Sequence, residues 1–235
     1  MPLVVRLRSA VCLLGRFPAL AGVDLDVAPG ETVLLSGGNG AGKTTLLRMV
    51  AGLLPLHQGE GEVLGTDLTR DRHSHRRRIG FVGQETFCYD DLTVRENLRF
   101  ATRAAGGTAS SADAALEGLE LTRLADVRHG RLSTGQRRRL ALAIAFAREP
   151  ELFLLDEPHA GLDAPGRAYL DDALSRASGD GRSVLIASHE LELVRPVVNR
   201  EVVLTNGQAH GAIGTPSDPP PAPGPPADKA LEPTL

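Results

Sequence analysis

A glycine-rich run that ends in a lysine and two threonines is the first group of residues able to do chemistry: Gly37, Gly38, Asn39, Gly40, Ala41, Gly42, Lys43, Thr44 and Thr45. Polyphosphate carries several negative charges in a small volume, and glycine lets the backbone approach it and turn N–H groups toward it. Lys43 can reach the outer phosphates, and the Thr44 hydroxyl can bind Mg²⁺. The run predicts a loop that binds ATP or GTP. The alternative is a plain glycine-rich turn between a strand and a helix.

Two adjacent carboxylates, Asp156 and Glu157, follow four apolar residues at 152–155. A short apolar run of this kind indicates a buried strand, and ligands collect at the carboxyl ends of parallel strands. Asp156 suits a magnesium shell, and Glu157 suits the positioning and deprotonation of an attacking water. An isolated Asp-Glu pair is as often a solvated turn, but a phosphate loop earlier in the chain favours the catalytic interpretation.

Gln84 and His189 each end another short apolar run. The Gln84 amide oxygen can face Mg²⁺ or water, and the His189 imidazole can contact the γ phosphate and steady the water. Taken singly, such residues are more often surface or structural ones. Their positions at strand ends favour a role beside Asp156 and Glu157.

The apolar pattern predicts the elements that position these residues. Apolar and polar residues alternate over 3–33, which indicates antiparallel strands, and the runs at 32–36, 79–82, 152–155 and 183–187 indicate short buried strands. Helical spacing follows the glycine loop at 44–53 and recurs at 167–176, whereas 52–67 is rich in turn residues. The segment 93–147 is helical in pattern, with breaks at 106–108 and near Gly130. The predicted fold is α/β, with a mixed sheet, an N-terminal antiparallel β subdomain and a helical insert at about 85–147.

Composition limits the class of protein. The 235 residues carry a formal charge of −3, which argues against nucleic acid as the main ligand. The two cysteines, Cys12 and Cys88, lack metal-ligand spacing, so a reducing cytosol is expected, and no apolar run predicts a membrane span or a signal peptide. Half of the sixteen prolines lie beyond Gly214. We therefore expect one domain at 1–214 and a disordered tail at 215–235, for which docking into a proline-binding groove is the less favoured interpretation.

The run Leu132-Ser133-Thr134-Gly135-Gln136 is the most specific motif of the chain. Ser133 is a good helix cap, and the N-terminus of the helix that it would begin suits a γ phosphate. As a bare pentapeptide it could equally be an ordinary cap. Together with the glycine loop, Gln84, Asp156-Glu157, Ala160-Gly161-Leu162-Asp163 and His189, in that order, it resembles the nucleotide-binding subunit of ABC transporters over about residues 3–210, a family built on the P-loop NTPase core.

This resemblance implies ATP and Mg²⁺ as cofactors and a head-to-tail pair of subunits. Ser133, Gly135 and Gln136 would cover the phosphate loop of a second copy or of a homologous subunit, and Asp163 would lie at the seam. Glu157 would be the catalytic base, with His189 as its partner. Membrane subunits on separate chains would dock beside Gln84 and the helical insert, so the protein is expected on the cytoplasmic face of the cell membrane.

The chain departs from the family pattern at two places. Many relatives carry an aromatic residue that stacks on adenine where this chain has Leu14-Gly15, with Phe17 nearby as a substitute. Thr134 stands where the family has a second signature glycine. Within the family, the runs at 95–100 and 136–143 resemble the ATPase of the haem exporter of cytochrome c maturation, although those subunits often carry His at the position of Gln84 and other exporters share similar runs.

Two other classes of protein remain open from the sequence. A soluble ABC ATPase acting on ribosomes or DNA usually has paired ATPase domains, coiled-coil inserts or zinc ligands, which this sequence lacks. A P-loop kinase would leave the run at 132–136 and His189 without a purpose. The cargo and the direction of transport are not encoded in these motifs, because cargo contacts would lie in the membrane subunits.

Overall fold

The computed structural model describes residues 2–211 and contains two β-sheets with helices packed between and beside them. The predicted tail at 215–235 lies outside the described residues. The strands are β1 Val5–Leu14, β2 Phe17–Val27, β3 Thr32–Ser36, β4 Gln58–Val63, β5 Thr66–Asp67, β6 Ile79–Val82, β7 Leu152–Asp156, β8 Ser183–Ala187, β9 Arg200–Thr205 and β10 Gln208–His210. The α-helices are α1 Lys43–Val50, α2 Val94–Ala104, α3 Ala109–Gly118, α4 Thr134–Ala147, α5 Ala164–Gly179 and α6 Leu191–Val194.

The first sheet is antiparallel and has the order β2-β1-β4-β5. Val5 faces Val27 on one side and Val63 on the other, so β1 lies between β2 and β4. The predicted alternation is confirmed, because Val23 and Leu25 are fully buried. Strands β4 and β5 were missed in the turn-rich segment 52–67, since β4 reads Gln-Gly-Glu-Gly-Glu-Val and carries a single large apolar residue.

The second sheet has the order β10-β9-β3-β8-β7-β6, and all its neighbours are parallel except β9 and β10. It is therefore mixed, as predicted. Strands β3, β7 and β8 are buried at every residue, because each of their faces contributes to a different hydrophobic core. Phe153 and Leu155 pack with α4 and α5 on one side, whereas Leu152 and Leu154 pack with α1 and the antiparallel sheet on the other.

The region between β6 and β7 is helical from Val94 onward, with the predicted breaks at 106–108 and near Gly130. Thr93 and Glu96 form a reciprocal capping box that starts α2. Helix α4 packs against α2, α3 and β6, so it joins the insert to the mixed sheet. Two boundaries differ from the prediction: α1 ends at Val50, before 53, and α5 extends from Ala164 to Gly179, beyond 167–176.

The carboxyl ends of β3, β6, β7 and β8 lie at one edge of the mixed sheet, because these strands are parallel. The glycine loop, Gln84, Glu157 and His189 follow those four ends in the chain. This edge is where an open α/β sheet binds its ligands. Among the helices of residues 2–211, none combines the length and apolar character needed to span a bilayer.

Candidate functional site

The glycine loop joins β3 to α1 and is held by backbone contacts. Gly37 has a φ of +133°, and a Cβ at this position would lie 2.2 Å from the carbonyl oxygen of Leu204, so only glycine fits. The N–H of Gly207, in the turn between β9 and β10, donates to the Ala41 carbonyl at 3.1 Å. Gly42 is the N-cap of α1, which places the positive end of that helix at the loop.

Lys43 lies over this loop, since its Nζ donates to the carbonyl oxygens of Gly37 at 2.6 Å and Gly38 at 3.1 Å. Residues 39–45 line a cavity of about 310 Å³, which we call the loop cavity. Its other lining residues are Leu14, Ala19, Gln84, Asp156 and Glu157. The structure thus brings the phosphate loop, the amide of Gln84 and both carboxylates to one cavity.

Thr44 and Asp156 meet at the floor of the site, where the Thr44 hydroxyl donates to Oδ2 of Asp156 at 2.8 Å. Asp156 is buried, and burial raises the pKa of its carboxyl, with the nearby charge of Glu157 adding to the rise. A buried carboxylate of this kind is stabilised by a cation.

The donors at this point fit magnesium. Thr44, Gln84 and Asp156 offer only oxygen ligands, which Mg²⁺ prefers, and it commonly takes one or two carboxylates and completes its shell with substrate phosphates and water. Among residues 2–211, no group of three or more His, Cys, Asp or Glu residues is arranged to hold a metal ion.

Glu157 and His189 form a pair at the same edge. Nδ1 of His189 lies 2.8 Å from Oε1 of Glu157, and the backbone N–H of His189 donates to that oxygen at 3.1 Å. Ser188 donates its hydroxyl to Oε2 at 3.1 Å. The Glu157 hydrogen bond and charge raise the pKa of His189. The family resemblance implied that His189 is the partner of Glu157 in hydrolysis, and the structure places the two side chains in contact.

Arg138 was missed as a site residue in the sequence analysis. Its guanidinium donates to the carbonyl oxygen of Gly83 at 2.5 Å, to that of Glu157 at 2.5 Å, and to that of Asp156. The side chain therefore bridges the ends of β6 and β7. The signal was present as three consecutive arginines, 137–139, on a predicted helix, where one face must point inward.

The run at 132–136 begins α4. Ser133 is the N-cap, its Oγ accepts from the Gln136 backbone N–H at 3.3 Å, and Oε1 of Gln136 accepts from the Ser133 N–H at 2.9 Å. This reciprocal capping box is the ordinary helix-cap structure that the sequence left open. Gly135 also packs closely against the backbone of Gly161, since a Cβ at position 135 would lie 2.7 Å from the Gly161 carbonyl oxygen.

Asp163 caps α5, accepting from the backbone N–H of Gly166 at 3.1 Å, and its carboxylate pairs with the Arg139 guanidinium. The Gly166 hydrogen bond, followed by that of Arg139, holds the pKa of Asp163 below its ordinary value. Neither Asp163 nor the residues Ser133, Gly135 and Gln136 line the loop cavity within the described chain. The structure therefore separates this second group from the phosphate loop of the same chain.

The two candidates for an adenine contact differ in position. Leu14 lines the loop cavity and is half exposed. Phe17 is 79% exposed and is not among the residues that line this cavity. Of the two candidates, Leu14 is thus the one that lines the cavity of the glycine loop.

A mixed sheet with a strand, glycine loop and helix at its edge, followed by a strand-end Asp-Glu pair, defines a P-loop NTPase. The sequence profile described as "ABC transporter" matches residues 20–160. The chain belongs to the ABC transporter family, of which it is an ATP-binding domain. The predicted family and fold class are thereby confirmed.

Two curated relatives are each 40% identical to this chain. The alignment with the sulfate/thiosulfate import ATP-binding protein CysA of Methylococcus capsulatus covers 87% of this chain and 61% of that protein. The alignment with the cytochrome c biogenesis ATP-binding export protein CcmA of Bordetella bronchiseptica covers 78% of this chain and 83% of that protein. The chain thus spans about three fifths of the length of the sulfate import protein.

One solved structure shares the fold of this chain, and the match extends over the whole length of the solved chain. It is described as a dimeric, post-hydrolysis state of the ATP-binding cassette MJ0796 bound to ADP and Pi. The match has a TM-score of 0.80 at 27% identity and covers 90% of this chain and 100% of that one.

Proposed function

We propose that this protein binds and hydrolyses ATP and that hydrolysis powers transport through an ABC transporter. The observation that carries the proposal is the loop cavity, where the phosphate loop and the Asp156-Glu157 pair face each other. A phosphate held by the loop there lies beside a carboxylate that is able to take a proton from water. The cassette bound to ADP and Pi, which shares the fold, supports the same chemistry.

In the proposed mechanism the residues of this chain have separate tasks. The loop N–H groups and Lys43 bind the β and γ phosphates, and Gln84, Thr44 and Asp156 would hold Mg²⁺. When bound, that ion neutralises charge on the phosphate oxygens. Glu157 accepts the proton of the attacking water, and His189, paired with Glu157 at 2.8 Å, fixes the orientation of its carboxylate.

We propose a head-to-tail dimer as the active form. Ser133, Gly135, Gln136 and Asp163 lie outside the loop cavity of their own chain, and the start of α4 carries donors suited to phosphate. A second copy related by a two-fold axis would bring these residues over the nucleotide. The dimeric state of the MJ0796 cassette supports this arrangement.

Membrane subunits are the proposed partners, and the proposed location is the cytoplasmic face of the membrane. Three exposed aromatic residues, Phe87, Tyr89 and Phe100, lie on the segment after Gln84 and on α2. Beside them a groove of about 300 Å³ is lined mostly by apolar residues, which include Leu53 and Ile144. Exposed apolar surface at this position favours a protein partner over nucleic acid or ribosomes.

We propose haem as the exported cargo. The CcmA relative is aligned over 83% of its length, compared with 61% for the sulfate import protein. The experiment is a mild-detergent pull-down from native membranes with tagged Glu157→Gln protein and ATP. A co-purifying multi-span membrane chain would support the transporter role, and its identity would separate haem export from sulfate import. Ribosomal or DNA-bound proteins without a membrane chain would contradict it.

A further inference from the structure

Arg138 occupies an unusual position for an arginine. It lies on α4, five residues after the cap Ser133, and only 9% of it is exposed. Its guanidinium hydrogen-bonds to three main-chain carbonyl oxygens at the ends of β6 and β7, and its Nε has no partner. Within the described part of the chain, no carboxylate forms an ion pair with it.

Such an arrangement is poor for stability alone. A buried charge without an ionic partner has a large desolvation cost, and burial lowers the pKa of Arg138 accordingly. An apolar side chain packed on the same core would avoid that cost, whereas the carbonyl groups need a donor that reaches two strands at once. A planar guanidinium with several N–H groups in a fixed fork meets this requirement.

The carbonyls that it holds belong to the proposed catalytic edge. One is that of Gly83, directly before Gln84, and another is that of Glu157 itself. Glu157 has a φ of +50°, in the left-handed region that a glutamate adopts at a cost in free energy, so its backbone needs external contacts to stay there. Arg138 supplies one contact, the Ala187 carbonyl, which accepts the Glu157 N–H at 2.8 Å, supplies a second, and the Ala160 N–H, which donates to the Glu157 carbonyl at 3.2 Å, supplies a third.

We propose that Arg138 is a positioning residue that ties the start of α4 to the backbone of Glu157 and to the residue before Gln84. The inference rests on the proposed function. In the head-to-tail dimer, the start of α4 faces the nucleotide bound by the other copy. Arg138 therefore links the contact with that nucleotide to the position of the Glu157 carboxylate in its own copy. Its loss lowers turnover and leaves nucleotide binding by the loop intact.

The test compares Arg138→Met with Arg138→Lys. Methionine keeps an unbranched apolar chain about as long as the arginine stem but donates no hydrogen bond, and lysine keeps the charge and a donor without the fork. We expect kcat to fall about tenfold or more in Arg138→Met, with recovery of part of that loss in Arg138→Lys. The dissociation constant for ATP, measured without turnover, should stay within about threefold of the wild type.

A control separates positioning from general destabilisation. Arg200→Lys changes a partly buried arginine that is paired with Glu31 at 2.8 Å near the amino ends of the strands. It should lower the melting temperature and leave kcat per folded molecule unchanged. Arg138→Met with wild-type kcat, or with a loss of kcat explained by its folded fraction or its ATP affinity, would overturn the inference.

A double-mutant cycle with Glu157→Gln supplies a readout that a structural role would not move. If Arg138 acts through Glu157, the single-turnover rate of the double variant Arg138→Met/Glu157→Gln should be only slightly lower than that of Glu157→Gln alone. Fully additive losses would overturn the positioning role. Failure of the wild-type protein to hydrolyse ATP would instead overturn the proposed function.

Discussion

Nδ1 of His189 lies 2.8 Å from Oε1 of Glu157, and the two residues follow the ends of neighbouring strands β8 and β7. The imidazole is exposed, whereas the carboxylate is largely covered by Ser188 and by the backbone N–H of His189. An exposed imidazole that rests on a covered carboxylate can leave it without breaking the core. Glu157 therefore has one partner that is free to turn toward solvent and others that are fixed.

The first prediction concerns the titration of His189. The Glu157 carboxylate stabilises the imidazolium and raises the pKa of His189, so the charged form persists to higher pH than for an isolated histidine. Glu157→Gln removes the negative charge, and the pKa should fall toward the ordinary value of about 6.5. The measurement is the pH dependence of the imidazole NMR signals. Glu192→Gln, at an exposed position of α6, is the control and should leave the titration unchanged.

The second prediction concerns the general base. Glu157→Gln should lower kcat by about 10²- to 10⁴-fold, because the amide cannot accept the water proton, while ATP still binds. The nucleotide then stays intact, and an ATP-dependent dimer should accumulate in size-exclusion chromatography with light scattering. A monomer with normal turnover would contradict both the base and the dimer.

The third prediction concerns Lys43. Lys43→Ala removes a charged donor placed over the loop, so the dissociation constant for ATP should rise by about tenfold to a hundredfold. Arg176→Ala removes a positive charge from the exposed Arg176–Asp172 pair on α5 and serves as the control for net charge. Fluorescent-nucleotide titration measures both. Equal affinity in Lys43→Ala and wild type would argue against the phosphate loop.

The fourth prediction concerns magnesium and pH. Burial raises the pKa of Asp156, so protons compete with Mg²⁺ at a higher pH than they would for an exposed aspartate. The apparent affinity for Mg²⁺ should therefore weaken as pH falls through this raised pKa and recover above it. Mg²⁺ titrations of ATPase rate at several pH values measure the effect. Asp156→Asn should abolish this pH dependence, and a profile equal to that of wild type would refute the assignment.

The fifth prediction concerns Gly135. A Cβ here would lie 2.7 Å from the Gly161 carbonyl oxygen, so Gly135→Ala must shift α4 or the 160–163 segment. We expect a loss of about 1–3 kcal/mol in the free energy of unfolding, measured by chemical denaturation. Gly179→Ala is the matched control, because nothing lies within 4 Å of its added Cβ and the position is helical. It should be neutral or slightly stabilising. A wild-type stability for Gly135→Ala would show that the contact is easily relieved.

The sequence predicted the parts of this fold that repeat a simple pattern. The buried runs of β3, β7 and β8 and the alternation in β2 were identified because period and hydrophobicity suffice to recognise them. Strand β4 was missed, since its pairing with β1 is made by backbone groups and its side chains are mostly exposed. Strands β9 and β10 were not assigned for a related reason: β9 alternates buried and exposed residues over only a short length.

The site was predictable in its residue types and less so in its contacts. Thr44 and Asp156 lie 112 positions apart in the chain. Their hydrogen bond depends on the order of the parallel strands in the sheet, and the order of the motifs along the chain does not fix it. Arg138 could not be distinguished from its neighbours Arg137 and Arg139, because which of three consecutive arginines points inward depends on helix rotation. Gly135 was interpreted as a phosphate contact, and its approach to Gly161 emerges only from packing.

The turn at Asn206 and Gly207 is hydrogen-bonded both to Ala41 in the glycine loop and to Ala21 in β2. A loop that begins at Gly37 is thus completed by residues made much later during synthesis. A nascent chain that has just exposed the glycine run cannot yet hold its final shape, because Asn206 and Gly207 have not been synthesised. Contacts of such long sequence separation form slowly. Nucleotide binding should consequently appear only after Gly207 has emerged from the ribosome, as a late sign that the domain has folded.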